Sequence, residues 1–249
     1  MAEHSGAVPV SEDPRRREWN DDPFHANEPW GDEEAASFEK QTVDEEVFVG
    51  VLKEAYKAFE DAELPFVVIG GVASALLGRP RWTQDIDFLV RPQDAKLALQ
   101  ALEQQEFATQ ETYPDWLYKG VKHGVIIDVL FKSSGGIYLD EDMLEHSVVR
   151  EWAGLPLRIA SPEDVIVMKA VAHEESTPRY WFDALAIIAR SGTDIDWEYL
   201  LHRSRVGVRR VLSLLLYAQS NDLVVPSGVV RTLFNTIEMG EGGADGSPG

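Results

Sequence analysis

The stretch FVVIGGVASALLGRPRWTQDIDFLV, residues 66–90, contains the features that decide the fold. Its apolar start ends at Gly70-Gly71 and passes into a short apolar segment, an order that predicts a buried strand, a tight turn and a short helix. The end of the stretch alternates acidic and apolar residues, which predicts a second strand. Because successive side chains of a strand point to opposite faces, Asp85 and Asp87 should share one face of the sheet.

Two aspartates on one face of a strand require a compensating cation, because like charges repel and aspartate is depleted in strands. A hard divalent ion such as Mg²⁺ meets this need, since it takes carboxylate oxygens together with the phosphates of a ligand. The alternative is that the pair marks the polar, solvent-facing start of an ordinary strand.

A third carboxylate interrupts the apolar strand GVIIDVLFK at residues 124–132. An unpaired buried charge is costly, so Asp128 needs a partner. If this strand lies beside residues 85–91, Asp128 completes a cluster of three carboxylates. Two other environments remain open for it: a salt bridge to an arginine such as Arg81, or an exposed strand edge.

The glycine pair suits a phosphate group. Gly70 and Gly71 would let the backbone approach a ligand closely, and the following helix would point free N–H groups at it. Ser74 could add a hydroxyl to the same site. Glycines also close many ordinary turns between a strand and a helix, and Ser74 in so short a helix can equally serve packing.

In combination, these motifs resemble the nucleotidyltransferase superfamily, whose pattern is an apolar strand ending in Gly-Gly or Gly-Ser, then Asp-x-Asp, then a distant third Asp. Residues 70–90, GGVASALLGRPRWTQDIDFLV, are most similar to the minimal nucleotidyltransferases of bacteria and archaea, which include AbiEii-type abortive-infection toxins. The resemblance covers roughly residues 45–190. It implies an α+β fold with a small mixed sheet flanked by helices and followed by a C-terminal helical half.

The resemblance also extends to positions outside the three-part motif. The family tends to carry a lysine on the helix after the sheet and an aspartate on the next helix, and Lys169 and Asp183 match these positions. Arg81 and Thr83, in the run Arg-x-Thr-x-Asp-x-Asp, would then join the nucleotide site. The alternative for Lys169 is a side chain that extends from an apolar helix into solvent, and for Asp183 an ordinary surface acid.

The implied activity is transfer of a nucleoside monophosphate from a nucleoside triphosphate (NTP) to an acceptor hydroxyl, with two Mg²⁺ ions, or Mn²⁺ in their place. The ions would be held by three carboxylates, those of Asp85, Asp87 and Asp128. Gly70, Gly71 and Ser74 would cradle the phosphates, and Lys169 would neutralise the charge that develops on pyrophosphate. The acceptor is open between a small molecule, a protein and a tRNA. A toxin of this type would have an antitoxin as partner.

Two other functions remain open. The chain could be a non-catalytic nucleotide-binding protein, or the partner of an antitoxin, on the same fold. An Asp-x-Asp glycosyltransferase would also use a metal and a nucleotide diphosphate, but it would leave Gly70-Gly71 and Asp128 without a role.

A second Asp-Ile-Asp, at residues 194–196 in GTDIDWEYL, has a different context. No apolar strand or Gly-Gly turn accompanies it. Asp196 is predicted to be the N-cap of a helix, with Glu198 in the first turn, where the helix dipole favours an acid. This copy is therefore predicted to be structural.

Composition limits the classes of function. The chain has 249 residues, no cysteine and a net charge of −20, and this charge repels polyanions at long range. A broad nucleic-acid surface and thiolate metal sites are not expected. The best candidate for a local basic groove is the cluster Arg203, Arg205, Arg209 and Arg210, although a solvated helix face explains it better. No apolar run is long enough for a membrane span, and the N-terminus has no secretory signal pattern, so a cytoplasmic protein is expected.

The sequence divides into four expected segments. Residues 1–43 and 240–249 have the composition of disordered tails, the first of them acidic. Residues 44–160 should form the nucleotidyltransferase core. Residues 161–239 should form the helical region, with helices at 161–175, 178–190, 196–203, 206–220 and 226–238.

Overall fold

The computed structural model describes residues 43–242. The tails expected at residues 1–43 and 240–249 lie outside this range, apart from residue 43 and residues 240–242. The elements follow in the order α1 (Glu45–Asp61), β1 (Phe66–Val68), α2 (Gly70–Leu77), β2 (Asp85–Val90), α3 (Ala95–Gln104), β3 (Ala108–Tyr113), β4 (Leu117–Lys122), β5 (Val125–Leu130), α4 (Glu141–His146), β6 (Val148–Trp152), β7 (Leu155–Ile159), α5 (Pro162–Ala172), α6 (Arg179–Ser191), α7 (Trp197–Arg203), α8 (Val208–Ser220) and α9 (Ser227–Gly242).

The seven strands form one mixed sheet in the order β3-β4-β5-β2-β1-β7-β6. β2 is parallel to β5 and β1 is parallel to β7, whereas the other neighbouring pairs are antiparallel. The predicted mixed sheet flanked by helices is therefore confirmed. β3, β4 and β5 follow one another in the chain and are neighbours in the sheet, and β5 also pairs with β2.

Apolar packing fixes which face of β2 carries its aspartates. Phe88 is fully buried, and its ring makes an edge contact with Phe59 of α1 at 4.9 Å between centroids. Ile86 is buried on the same face of the strand. Turning this strand over would expose both residues. Burial of each large apolar side chain contributes about 1.5–3 kcal/mol, so the observed orientation is strongly favoured. The alternating Asp85 and Asp87 must therefore lie on the opposite face.

Three strands were not predicted from the sequence. β3, β4 and β6 carry mixed polar and apolar residues, and most side chains of β3 and β6 are partly or fully exposed. Strands near a sheet edge bury little surface, so their sequences have a weak apolar alternation. The strand predicted at residues 156–160 is present as β7, but it was expected at an edge and instead lies between β1 and β6.

The helical half begins at α5. As predicted, Ser161 caps this helix, accepting a hydrogen bond from the backbone N–H of Asp164 at 3.1 Å, and Pro162 occupies the first turn. The five predicted helices correspond to α5–α9, and the last of them extends to Gly242.

A buried polar network joins α7 to α5. The carboxylate of Asp164 accepts hydrogen bonds from Arg203 Nε at 2.7 Å and from the hydroxyl of Tyr199 at 2.8 Å. Arg203 also donates to Asp140, which caps α4. Arg203 is therefore an internal ion-pair partner and does not belong to a basic groove.

Within residues 43–242, no helix is both long enough and apolar enough to cross a membrane.

Candidate active site

The parallel pairing of β2 with β5 brings three aspartates to one place on the sheet. Asp87 lies directly opposite Asp128 in the register, and Asp85 precedes Asp87 by two residues on the same face. One carboxylate oxygen from each residue can be chosen so that all three atoms lie within 4.8 Å of one another. The structure thus unites two motifs that are separated by some forty residues of sequence.

The electrostatics of this cluster are unfavourable without a cation. Burial, together with the charges of Asp85 and Asp128, raises the pKa of Asp87 to about 8. Burial raises the pKa of Asp128 as well, and the charge of Lys119 opposes this effect. Both shifts mean that the ionised carboxylates are destabilised where they stand.

The donor set fits a divalent cation. All three ligands are carboxylates, which are the oxygen donors that Mg²⁺ and Mn²⁺ prefer. The Oδ1 atom of Asp128 is buried, and among the described residues the ammonium of Lys119, with Nζ 3.2 Å away, is its counter-charge. A carboxylate oxygen has more than one acceptor position, so a bound ion would share this atom with the ammonium or replace it.

The glycine turn is tightly fitted against these carboxylates. Gly70 has φ +62°, and a Cβ added there would lie 1.8 Å from Asp87 Oδ2. A Cβ added at Gly71 would lie 2.3 Å from Thr83 Oγ1. The N–H of Gly71 donates to Asp87 Oδ2 at 3.3 Å, at the start of α2. Only glycines allow the backbone to approach Asp87 and Thr83 so closely.

The two hydroxyl groups of the predicted site differ in their positions. Thr83 donates to Asp85 Oδ1 at 2.6 Å and so orients one of the three carboxylates. Ser74 is buried within α2, and its hydroxyl donates to the carbonyl of Gly70 at 2.7 Å. The Ser74 hydroxyl would have to leave this bond to reach a phosphate, whereas Thr83 already contacts a carboxylate of the cluster.

Lys169 and Asp183 lie together, and Arg81 joins them. Arg81 donates to both carboxylate oxygens of Asp183 at 2.9 Å, and Lys169 Nζ lies 3.0 Å from Asp183 Oδ2. Lys169 is 7% exposed, and its ammonium also lies 4.7 Å from the ring centre of Tyr180. Lys169 thus does not extend into solvent, and Asp183 is not a surface acid.

This cluster holds an excess of one positive charge next to the aspartates. Burial lowers the pKa of Lys169, although the charges of Asp183 and Asp87 oppose the effect. Burial alone would raise the pKa of Asp183, but the hydrogen bonds from Arg81 and the charge of Lys169 hold it below its usual value. The arrangement suits the binding of an anionic group between the cluster and the carboxylates.

The cation that pairs with Asp128 was not predicted. Lys119 of β4 lies directly opposite Asp128 in the antiparallel register, and its Nζ lies 3.2 Å from Asp128 Oδ1. Arg81, the partner considered from the sequence, is bound to Asp183 instead. The sequence does not show that Lys119 pairs with Asp128, because this ion pair depends on the register in which β4 and β5 align.

The second Asp-Ile-Asp is structural, as predicted. Asp196 caps α7, and its side chain accepts hydrogen bonds from the N–H groups of Glu198 and Tyr199 at 3.0 Å. Its own N–H donates to Glu163 of α5 at 2.8 Å. Asp196 therefore uses its hydrogen-bonding capacity to begin a helix and fix it to a neighbour.

Several solved structures are similar to this chain. The antibiotic-resistance factor ANT(2″)-Ia is 17% identical, with 72% of this chain and 94% of that chain covered, at a TM-score of 0.44. The lincosamide antibiotic adenylyltransferase LnuA is 14% identical, with 59% and 98% covered, at a TM-score of 0.42. An antigenic nucleotidyltransferase-like protein from Paracoccidioides brasiliensis is 13% identical, with 76% and 99% covered, at a TM-score of 0.43.

Among curated proteins, no sequence matches this chain. The profile of a protein family, described as uncharacterised nucleotidyltransferase, matches residues 35–220. This match spans most of the chain and includes the glycine turn, the three aspartates and the cluster around Asp183. The chain therefore belongs to this family of nucleotidyltransferases.

Proposed function

We propose that the protein is a metal-dependent enzyme that transfers a nucleoside monophosphate from an NTP to an acceptor hydroxyl. The observation that supports this most directly is the pairing of β2 with β5, which places three carboxylates next to a glycine turn. Asp85, Asp87 and Asp128 would hold two Mg²⁺ ions, or Mn²⁺. When bound, these ions would supply charge neutralisation for the phosphates and a lowered pKa for the attacking hydroxyl.

The residues around the carboxylates have separate roles in this proposal. Gly70 and Gly71 bring the start of α2 directly against Asp87 and Thr83, and the positive end of this helix would favour a phosphate beside the carboxylates. Lys169 and Arg81 supply positive charge for the departing pyrophosphate, with Asp183 fixing both side chains. Asp183 is thus a positioning residue.

Transfer replaces one bond to the α-phosphorus by another. The oxygen of the acceptor hydroxyl forms a bond to the α-phosphorus, and the bond from that phosphorus to the bridging oxygen of the β-phosphate breaks. Pyrophosphate leaves with the electron pair of the broken bond, and the hydroxyl proton passes to Asp128. Asp128 suits this role because burial raises the pKa of its carboxyl group and so favours the protonated form.

Labelled-NTP transfer tests the proposal. The purified protein is incubated with each α-labelled NTP, Mg²⁺ and fractionated cell extract, and both transferred label and pyrophosphate are measured. Asp85→Ala and Asp87→Ala should abolish the reaction, whereas Asp115→Asn, at an exposed turn position, should not. Turnover that persists in a folded double variant of Asp85 and Asp87 would refute the assignment.

Two alternatives are separated in the same assay. A glycosyltransferase would consume UDP-sugars without forming pyrophosphate, and it would not require the close fit of Gly70 against Asp87. A non-catalytic protein would gain thermal stability from NTP plus Mg²⁺ but transfer nothing.

The AbiEii-type role remains part of this proposal and rests on the resemblance of residues 70–90. It predicts that expression of the wild-type chain arrests growth and that a cognate antitoxin relieves the arrest. Asp85→Ala should be tolerated at equal expression if the toxicity comes from the transfer reaction.

A further inference from the structure

A polar row crosses the sheet from the aspartates toward the edge. Asp87 of β2 lies opposite Asp128 of β5, Asp128 lies opposite Lys119 of β4, and Lys119 lies opposite Gln110 of β3. Directly opposite residues of neighbouring strands project on the same face. The four side chains therefore form one continuous line that begins at the carboxylate cluster.

The opposite face of these strands is covered by helices. α3 packs against β3, β4 and β5, and a Cβ added at Gly120 of β4 would lie 2.9 Å from Leu102 of α3. On the face that carries the polar row, the side chains are only partly buried. The side chain of Lys119 is 24% exposed and that of Asp128 is 15% exposed, and Ile126 and Val121 are also half-buried. The row thus lies on an accessible shelf beside the carboxylates.

The ammonium of Lys119 and a divalent ion compete for the same carboxylate. Lys119 Nζ lies 3.2 Å from Asp128 Oδ1, which makes it the counter-charge of Asp128 in the structure described. A cation bound to Asp128 would repel the ammonium. A lysine carries its charge on a flexible four-carbon stem, so the ammonium can turn away from Asp128 and remain on the shelf.

Gln110 offers an unused acceptor at the end of the row. Its Oε1 atom is buried and has no hydrogen-bond partner among the described residues. Leaving a buried amide oxygen without a partner is costly, and a hydroxyl or N–H of a ligand would satisfy it. The shelf therefore presents one cation, and rotation of the half-buried Gln110 side chain would bring its amide acceptor to a molecule that lies across the shelf.

We propose that Lys119 and Gln110 form the acceptor subsite, and that the acceptor is a small molecule that carries a carboxylate or a phosphate in addition to its reactive hydroxyl. Lys119 binds the anionic group, and Gln110 accepts a hydrogen bond from a second polar group of the same molecule. The inference rests on the proposed function, because it assigns the second substrate of the same reaction.

The charge of the chain favours a small acceptor over a polyanion. A net charge of −20 repels a nucleic acid at long range, whereas a molecule with one anionic group meets a much smaller penalty. An acceptor with several protonated amines would encounter the ammonium of Lys119 at close range. At the position of Lys119, the subsite therefore favours an anionic group over a protonated amine.

Nucleotide binding and transfer, measured separately, test the assignment. Binding of a non-hydrolysable NTP analogue with Mg²⁺ is measured on the full chain by thermal shift. Transfer of α-label is measured with the low-molecular-weight part of cell extract, divided by anion exchange into retained and unretained fractions. Lys119→Met and Gln110→Leu are compared with Lys96→Met, whose ammonium pairs with Glu111 on the exposed surface of the protein.

Label should enter the retained fraction. Lys119→Met and Gln110→Leu should each keep nucleotide binding, and Lys119→Met should lose transfer by about tenfold or more, as expected for loss of a hydrogen bond to a charged group. Lys119→Arg, which keeps the charge, should recover part of the lost transfer, and Lys96→Met should behave as the wild type. Phosphatase treatment of the extract distinguishes the two anions, because it abolishes transfer to a phosphate-bearing acceptor and leaves a carboxylate-bearing one unchanged.

The failures of the two proposals can be told apart. If the wild type binds no nucleotide and transfers no label, the proposed function is wrong. If the wild type transfers label but Lys119→Met and Gln110→Leu transfer it equally well, only the acceptor subsite is wrong. Label that enters only the unretained fraction, or that in whole extract enters only a macromolecule, also overturns the subsite.

Discussion

Replacement of Asp87 by asparagine should stabilise the metal-free protein. The variant removes one charge from the cluster of three carboxylates and keeps the shape of the side chain. The amide oxygen of asparagine can still accept the hydrogen bond that Gly71 N–H makes to Asp87 Oδ2. The main change is therefore electrostatic.

The structure gives the size of the effect. The chosen carboxylate oxygens lie within 4.8 Å of one another, and two unit charges at that upper limit repel by about 3.5 kcal/mol at an effective dielectric constant of about 20. Lys119 offsets part of this repulsion at Asp128, so a net gain of about 2 kcal/mol is expected. For a chain of this size, such a gain raises Tm by about 4–8 °C.

The effect should depend on pH with a defined sign. The pKa of Asp87 is raised from its ordinary value of 3.8 to about 8, so the folded protein keeps a proton that the unfolded chain releases. The stability of the wild type should therefore fall as pH rises from about 4 through about 8. Asp87→Asn lacks this titration, so its advantage over the wild type should be small in mildly acidic buffer and largest at the upper end of this range.

Thermal unfolding with and without Mg²⁺ or Mn²⁺ is the measurement. The divalent ion should stabilise the wild type most at high pH, where protons no longer compete for the carboxylates, and should stabilise Asp87→Asn much less. Asp115→Asn, with the same change of charge at an exposed position, is the control and should resemble the wild type. If Asp87→Asn melts below the wild type in chelator, or gains as much from the ion, the three carboxylates do not form a shared cation site.

Three further substitutions probe the surroundings of the cluster. Gly70→Ala should destabilise the fold by several kcal/mol in chemical denaturation and abolish transfer, because the added Cβ would collide with Asp87. The control is Gly50→Ala, whose added Cβ has nothing within 4 Å. This control should be neutral or stabilising by about 0.5–1 kcal/mol in the same measurement. Asp183→Asn should cost about 3–5 kcal/mol in the same measurement, since it leaves Lys169 and Arg81 without their shared carboxylate; an unchanged denaturation midpoint would contradict this. Asp196→Ala should cost about 1 kcal/mol through loss of the cap of α7 and leave nucleotide transfer unchanged, and a loss of transfer without loss of stability would show that this residue is not only structural.

Most of the central elements were predictable because their signals are local. The glycine turn, the alternation in β2 and the apolar run of β5 each fix one element by short-range preferences. The caps at Ser161 and Asp196 are of the same kind, since a cap depends on a few neighbouring residues.

The outer strands and the partners of the polar side chains were not predictable. β3 and β6 bury too little surface to show a clear apolar alternation, and they acquire their structure by pairing with their neighbouring strands. β4 buries Leu117 and Tyr118, but its two lysines and its glycine interrupt any apolar pattern. The ion pair of Arg81 with Asp183 joins residues 102 positions apart in the chain, so no local pattern predicts it. The ion pair of Lys119 with Asp128 depends on the register of the hairpin that β4 and β5 form.

By itself, the sequence determined which residues are the candidates for the site, because an aspartate inside an apolar strand and a glycine pair at a turn are unusual in any fold. Only the tertiary structure decided that Asp128 meets Asp87 and that Lys119 and Gln110 continue the same line. The register between neighbouring strands sets these meetings, and it is fixed by the packing of the opposite face against α1 and α3.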